Sequence, residues 1–129
     1  MWYVEDMTYD IHTDVKYGPL EVVDAKKLVA ENTQPWWNQS LCVVNESVAR
    51  IGVFHGEFHW HKHDREDELF FVLEGTLLLD VDDANGKRTV ELHPQQGMVV
   101  PKGVMHRTRA PQRTVVLMVE PATVIPTGD

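Results

Sequence analysis

The chain has 129 residues, of which 43% are hydrophobic and 25% charged, proportions that are ordinary for one compact globular domain. Its formal net charge of -8 repels a phosphate backbone, so we expect no nucleic-acid partner. Apolar runs such as Val115–Val119 are far shorter than the roughly 18 residues of a membrane span, and we expect no membrane insertion. The acidic start, Met1–Asp6, lacks the apolar stretch of a secretory signal, which favours a cytoplasmic location.

The first 35 residues are mixed in composition, and we interpret residues 1–35 as a segment that packs on the main domain or on a partner subunit. Asp24 before the run Ala25–Ala30 predicts a short helix, because an Asp side chain accepts hydrogen bonds from the first free backbone N–H groups of a helix. The pair Trp36 and Trp37 predicts packing of this segment over a sheet, or half of a dimer contact, rather than a substrate platform.

From about residue 40 onward, short β-branched and aromatic runs are interrupted by Gly, Pro and Asn, a pattern typical of successive antiparallel strands. A flat sheet of so many strands would expose an apolar face and two edges. Residues 36–129 are therefore predicted to form a closed or nearly closed all-β barrel. The predicted strands are 41–44, 48–55, 57–62, 68–74, 76–82, 88–92, 98–100, 104–109 and 114–120.

Three histidines alternate within the predicted strand 57–62 and its end. Because side chains of a strand point to opposite faces in turn, His59, His61 and His63 are expected to share one face. Glu68 would then place a carboxylate at the start of the next strand. Imidazoles beside a carboxylate suit a borderline divalent metal such as iron, nickel, copper or zinc.

The alternative interpretation of this stretch is an exposed, charged surface hairpin. The histidines alternate with the apolar residues Phe58 and Trp60, and Glu68 begins one of the most apolar runs in the chain. Polar groups on such a strand need a partner, so the pattern favours a metal site.

The spacing of these residues resembles the first motif of the cupin superfamily, two His and one Glu followed by a Gly, here Gly75. A second cupin motif, in which a Gly precedes Pro-x-Gly and a His, is similar to the run Gly97–His106. The likeness covers residues 56 to 110 and narrows to small single-domain cupins, sometimes labelled mannose-6-phosphate isomerase-like. It departs from the general pattern in the spacing of Gly56 and Gly97 and at Ala110, where Asn often stands.

The resemblance implies a small conical antiparallel β-barrel of the jelly-roll, double-stranded β-helix type. It implies that His61, His63, Glu68 and His106 hold a divalent ion and that the protein is a homodimer. These ligands leave two positions open on an octahedral ion, where a substrate or dioxygen could bind. Iron, manganese and zinc are the expected ions, with nickel or cobalt also compatible, because ligand type alone does not select among them.

Several functions agree with such a site. We expect a metal-dependent enzyme that acts on a small polar molecule, either a dioxygenase or a non-redox isomerase or lyase. The alternative is a non-catalytic module that binds a small ligand or only a metal. His59, outside the four-ligand pattern, could act as a catalytic general base or orient a ligand, or could be a partly exposed residue at the barrel mouth.

The same strand alternation predicts which neighbours of His106 face the metal. Arg107 and Arg109 should face away from the metal, whereas Thr108 should point inward. An arginine clamp for an anionic substrate at these two positions is therefore not favoured.

Overall fold

The computed structural model describes residues 9–129 and has one short helix and eight strands in that range. The expectation for residues 1–8 lies outside the described part of the chain. The elements in chain order are β1 (Asp10–His12), α1 (Ala25–Glu31), β2 (Trp37–Val44), β3 (Ser47–Glu57), β4 (Glu68–Glu74), β5 (Leu77–Asp83), β6 (Gly86–Leu92), β7 (Gly97–Val100) and β8 (Met105–Pro121).

The strands form one hydrogen-bonded sheet with the order β1-β2-β3-β8-β4-β7, and β5 joins it through β8 and carries β6. Among the described strands, only β1 and β2 pair in parallel, and every other pairing is antiparallel. The long strand β8 pairs with β3, β4 and β5, so it connects all parts of the sheet. The all-β prediction is confirmed, but the sheet is not closed by hydrogen bonds, which makes it a jelly-roll sandwich rather than a closed barrel.

Two apolar clusters lie on opposite sides of this sheet. The inner cluster contains Phe70, Val72 and Leu79, and the outer one lies beneath α1. Trp36 belongs to the inner cluster and Trp37 to the outer one, because neighbouring residues of an extended chain point to opposite faces. Both side chains are buried in these clusters, and the dimer contact stays a prediction.

The predicted helix is confirmed and extends to Glu31. The side chain of Asp24 accepts a hydrogen bond from the backbone N–H of Lys27 at 3.0 Å, and Leu28 and Val29 are buried against the sheet. Within residues 9–129, no helix combines the length and apolar character that crossing a membrane requires.

Two strand predictions are wrong. β3 ends at Glu57, and the segment that carries the histidines is irregular except for one bridge between His61 and His106. The predicted strands 104–109 and 114–120 are a single strand, β8. Pro111 does not break β8. The register between β8 and β3 shifts around Gly56, so Pro111, which has no N–H group, lies where no ladder hydrogen bond is lost.

Candidate metal centre

The four predicted ligands come from three parts of the chain. Glu68 is the first residue of β4, His106 is the second residue of β8, and His61 and His63 lie in the irregular segment between β3 and β4. The backbone N–H groups of His61 and His106 each donate to the other's carbonyl at 2.9 Å. The N–H of Gly103 donates to the carbonyl of His63 at 2.8 Å. The irregular segment is thus fixed against the start of β8.

The structure brings all four side chains together in the interior. Their ligand atoms lie within 4.8 Å of one another, and the four residues are between 1% and 9% exposed. Glu68 Oε1 is 3.3 Å from His63 Nε2 and 3.6 Å from His106 Nε2. This buried His61/His63/Glu68/His106 group could hold a metal ion.

Hydrogen bonding tests whether these residues fit an ion. Within residues 9–129, both ring nitrogens of His63, Nε2 of His106 and Oε1 of Glu68 are buried without a hydrogen-bond partner. A buried polar atom left unsatisfied costs on the order of 1–3 kcal/mol. A divalent cation would accept lone pairs from one ring nitrogen of His63, from Nε2 of His106 and from Oε1 of Glu68, so the residues fit the metal that their types suggest.

Two backbone carbonyls fix which ring nitrogen faces the centre. Nδ1 of His61 lies 3.0 Å from the carbonyl oxygen of His59, and Nδ1 of His106 lies 2.9 Å from that of Val104. A carbonyl only accepts, so each Nδ1 carries the proton and each Nε2 keeps its lone pair for a metal.

The charges of the group also favour a cation. Burial, together with repulsion from His106, lowers the pKa of His61 to about 4, so this ring is neutral at pH 7. Burial would raise the pKa of Glu68, but the neighbouring imidazoles of His106 and His63 outweigh it and hold that pKa below its usual range. Burial likewise opposes protonation of His63, yet the neighbouring Glu68 outweighs it and raises the pKa of His63. The group is therefore a site of negative potential.

A small chamber adjoins the candidate ligands. Its volume is about 30 Å³, room for about two water molecules. Thr108 lines it, as predicted. Other lining residues are Trp36, Phe54, Phe58, Phe70, Arg50 and Glu120.

The sequence analysis missed Arg50 and Glu120. Both are 3% exposed, and burial together with the neighbouring Glu68 carboxylate raises the pKa of Glu120 to about 10. A charged residue within the apolar strands β3 and β8 was the available signal, because such a residue is rarely buried without a purpose or a partner.

The C-terminal strap, residues 123–129, covers the histidine segment. The backbone N–H of Asp129 donates to the carbonyl of Lys62 at 3.0 Å, and its side chain accepts from the N–H of Asp64 at 2.6 Å. Asp129 and Glu66 also lie close enough to His63 to form a second group of ligand-type atoms within 4.8 Å. The strap therefore braces the loop that carries two of the candidate ligands.

His59 is not in the four-residue group. Its Nε2 is 2.7 Å from the carbonyl oxygen of Thr127 in the strap, whereas its own carbonyl orients His61. The catalytic role predicted for its imidazole stays a prediction. Beside it, Gly128 packs against His61, and a Cβ added at Gly128 would lie 2.5 Å from the Cβ of His61.

Arg107 and Arg109 face away from the centre, as predicted. Nε of Arg107 donates to Asp80 at 2.8 Å, and Arg109 donates to both Asp80 oxygens at 2.6 and 2.9 Å. Hydrogen bonding to Arg109, with further bonds from Thr89 and Arg107, outweighs burial and holds the pKa of Asp80 well below its usual range. These arginines stabilise the outer face.

Comparison with known proteins decides the family. The model of the cupin domain matches residues 52–120, which is 69 of the 129 residues. This chain belongs to the cupin domain family. The cupin is 48% identical over 83 residues to the uncharacterized protein YdbB of Bacillus subtilis (strain 168), covering 64% of this chain and 71% of that protein.

Solved structures share the fold of this cupin. A cupin-2 domain containing protein from Shewanella frigidimarina NCIMB 400 superposes with a TM-score of 0.70 at 29% identity, covering 78% of this chain and 94% of that one. Hydroquinone 1,2-dioxygenase from Sphingomonas sp. TTNP3, solved with 4-hydroxybenzoate bound, gives a TM-score of 0.70 at 18% identity, covering 85% of this chain and 36% of that one. At 18% identity the likeness to the dioxygenase shows the fold alone.

Proposed function

We propose that this cupin is a metal-dependent enzyme in which His61, His63, Glu68 and His106 hold one divalent ion, iron, manganese or zinc, and a small molecule reacts in the adjoining chamber. The observation that supports this most strongly is the set of buried, unpartnered nitrogen and oxygen atoms that converge on one point. When bound, such an ion would supply a Lewis-acid centre with open positions and, for a redox-active metal, electron transfer.

The residues of the chain have separate tasks in this proposal. The carbonyls of His59 and Val104 orient two imidazoles, so little reorganisation is needed when an ion binds. The aromatic walls, represented by Phe58 and Phe70, exclude bulk water from the chamber and strengthen its electrostatic interactions.

Among the reaction classes, we favour a dioxygenase over an isomerase or lyase. The non-redox reactions need a base that removes a proton from the substrate. In the described part of the chain, the lining group next to the ligands that could serve is Glu120, whose pKa is raised by burial and by the neighbouring Glu68 carboxylate before an ion binds. His59 could serve only after its Nε2 leaves the carbonyl of Thr127. A dioxygenase whose substrate binds already deprotonated needs no such base.

One observation favours the alternative, a module that binds a small ligand without turning it over. The chamber volume of about 30 Å³ leaves little room for a substrate unless a wall moves. Pro126 of the strap lines the chamber, so displacement of the strap would enlarge it. The division at residues 35 and 36, the homodimer and the cytoplasmic location also stay predictions, and light scattering would test the dimer.

The experiment that tests the proposed function is metal analysis of untagged protein purified without added metal, beside His61→Ala and His106→Ala. His93→Ala is the matched control, because His93 is exposed and pairs with Glu91 on the surface. We expect about one ion per chain in the native protein and the control, and its loss in both ligand variants.

The identity of the ion then directs the activity assay. If it is iron, we expect oxygen uptake equal to product formation with one member of a panel of small acids and phenols, and no need for an added reductant. An ion-loaded protein that binds a panel member without oxygen uptake or product would instead support the binding module. Native protein that neither contains nor takes up an ion would contradict the proposed function.

A further inference from the structure

A buried arginine lines the same chamber as two of the candidate ligands, His61 and Glu68. Arg50 is 3% exposed on β3, and its side chain lines the chamber together with Glu68. Its Nη1 donates to Ser40 Oγ at 2.9 Å and its Nη2 donates to Asn38 Oδ1. Both of these partners are neutral, so they satisfy hydrogen bonds without balancing the charge.

The one carboxylate in ion-pair range of this guanidinium, within residues 9–129, is that of Glu120. Its Oε2 lies 4.0 Å from Arg50 Nε, beyond hydrogen-bond distance. Glu120 also lies against Glu68, so its carboxyl group interacts with Glu68 as well as with Arg50. A guanidinium stays charged inside a protein, and burying it without a close counter-ion is costly.

Ion binding at the candidate centre would leave the chamber with excess positive charge. A divalent ion adds two positive charges to that of Arg50, whereas Glu68 contributes one negative charge and Glu120 at most one. Among the groups that line the chamber the excess is positive whichever protonation state Glu120 has, and Glu66 and Asp129, which lie beside His63, do not line it. In a water-poor interior, such an excess attracts an anion strongly.

The surroundings limit the size and shape of that anion. The chamber holds about 30 Å³ between flat aromatic walls. Arg50 and Glu120 also line a second cavity of about 100 Å³ beneath Val15 and Val124, so their side chains lie between the two spaces. A molecule of a few non-hydrogen atoms therefore fits the first space only if a wall, such as Pro126 of the strap, moves.

We propose that Arg50 is the specificity-determining residue of this cupin and selects a small carboxylate as the substrate. With one N–H of Nη1 and one of Nη2 bonded to Ser40 and Asn38, the guanidinium keeps three N–H groups, enough to donate two hydrogen bonds to a carboxylate, a geometry that an ammonium group lacks. The remainder of the acid, carrying a second oxygen, then points towards His61 and Glu68. This inference rests on the proposed function and adds the chemical class of its substrate.

The test compares two small molecules of nearly equal size, glycolate and its neutral amide, glycolamide, by titration calorimetry on protein of measured metal content. Glycolate can bind a metal ion by itself, so the informative quantity is the change in the glycolate preference when Arg50 is replaced. We expect Arg50→Met to reduce that preference about ten-fold or more and Arg50→Lys to restore part of it. Arg88→Gln is the control, because Arg88 is exposed and pairs with Asp83.

An equal glycolate preference in native protein and Arg50→Met, with the metal retained in both, would overturn the role of Arg50 and leave the metal site intact. If Arg50→Met does not fold, Arg50→Lys takes its place, and an unchanged preference there would overturn the bidentate contact. Native protein without metal contradicts the proposed function instead. In that metal-free protein the same titration tests Arg50 by itself. Equal binding of glycolate and glycolamide there would refute the role of Arg50.

Discussion

The strap makes a quantitative prediction at Gly128. This residue has φ +96°, a conformation that costs an L-residue roughly 1–2 kcal/mol. In Gly128→Ala, the new Cβ would also lie 2.5 Å from the Cβ of His61, a separation that forces the strap or the ligand to move. Changes in the residues that support metal ligands typically reduce metal affinity by about 10- to 100-fold. We expect about a ten-fold loss of metal affinity, or about 1.4 kcal/mol.

Gly86→Ala is the matched control for this effect. Gly86 has φ +95°, but no atom lies within 4 Å of an added Cβ. Both variants therefore suffer similar backbone strain, and only Gly128→Ala disturbs His61. Metal affinity is measured by competition with a chelator, and unfolding by urea is followed in parallel. Equal metal affinities for Gly128→Ala and native protein would refute the supporting role of the strap.

Three further predictions concern stability. An ion at 100 times its dissociation constant should raise the free energy of unfolding by about 2.7 kcal/mol, which is roughly 10 °C in Tm for a chain of this length. His63→Ala should abolish this rise in Tm, and calorimetry measures the Tm of both proteins. The pKa of Asp80 is lower in the folded than in the unfolded protein, so its stabilisation is complete above its ordinary pKa near 3.9 and is lost as the pH falls further. The difference in urea stability between native protein and Asp80→Asn should therefore shrink below about pH 4, and a constant difference would contradict the contact. Leu79→Ala, at a fully buried position, should lose about 2–5 kcal/mol in urea unfolding, whereas Val99→Ala, at a 53% exposed position, should change it by less than about 0.5 kcal/mol.

The candidate ligands could be predicted because their spacing along the chain carries the information. His61, His63 and Glu68 lie within eight consecutive residues, and His106 follows a Pro-x-Gly turn. The reasoning from strand alternation was only partly right, since the segment after Glu57 is not a regular strand. His61 is held there by its bridge to His106, a long-range contact that no local pattern reveals.

The surroundings of the site could not be predicted for the same reason. The contact between Asp129 and Lys62 joins residues far apart in sequence, and it uses backbone groups that any residue possesses. Arg50 reaches the chamber because β3 pairs with β8, which places it next to Glu120. A break was predicted between residues 109 and 114, but the register shift that accommodates Pro111 depends on the partner strand. Local patterns thus define the elements, whereas pairing defines the site.

The most direct test of the metal centre is an anomalous-difference map from crystals of the ion-loaded protein, recorded at the absorption edge of the ion. We predict one strong peak bonded to His61, His63, Glu68 and His106, at about 2.0–2.2 Å from each ligand atom if the ion is zinc. A peak between His63, Glu66 and Asp129 instead, or no peak beside Glu68, would contradict the assignment.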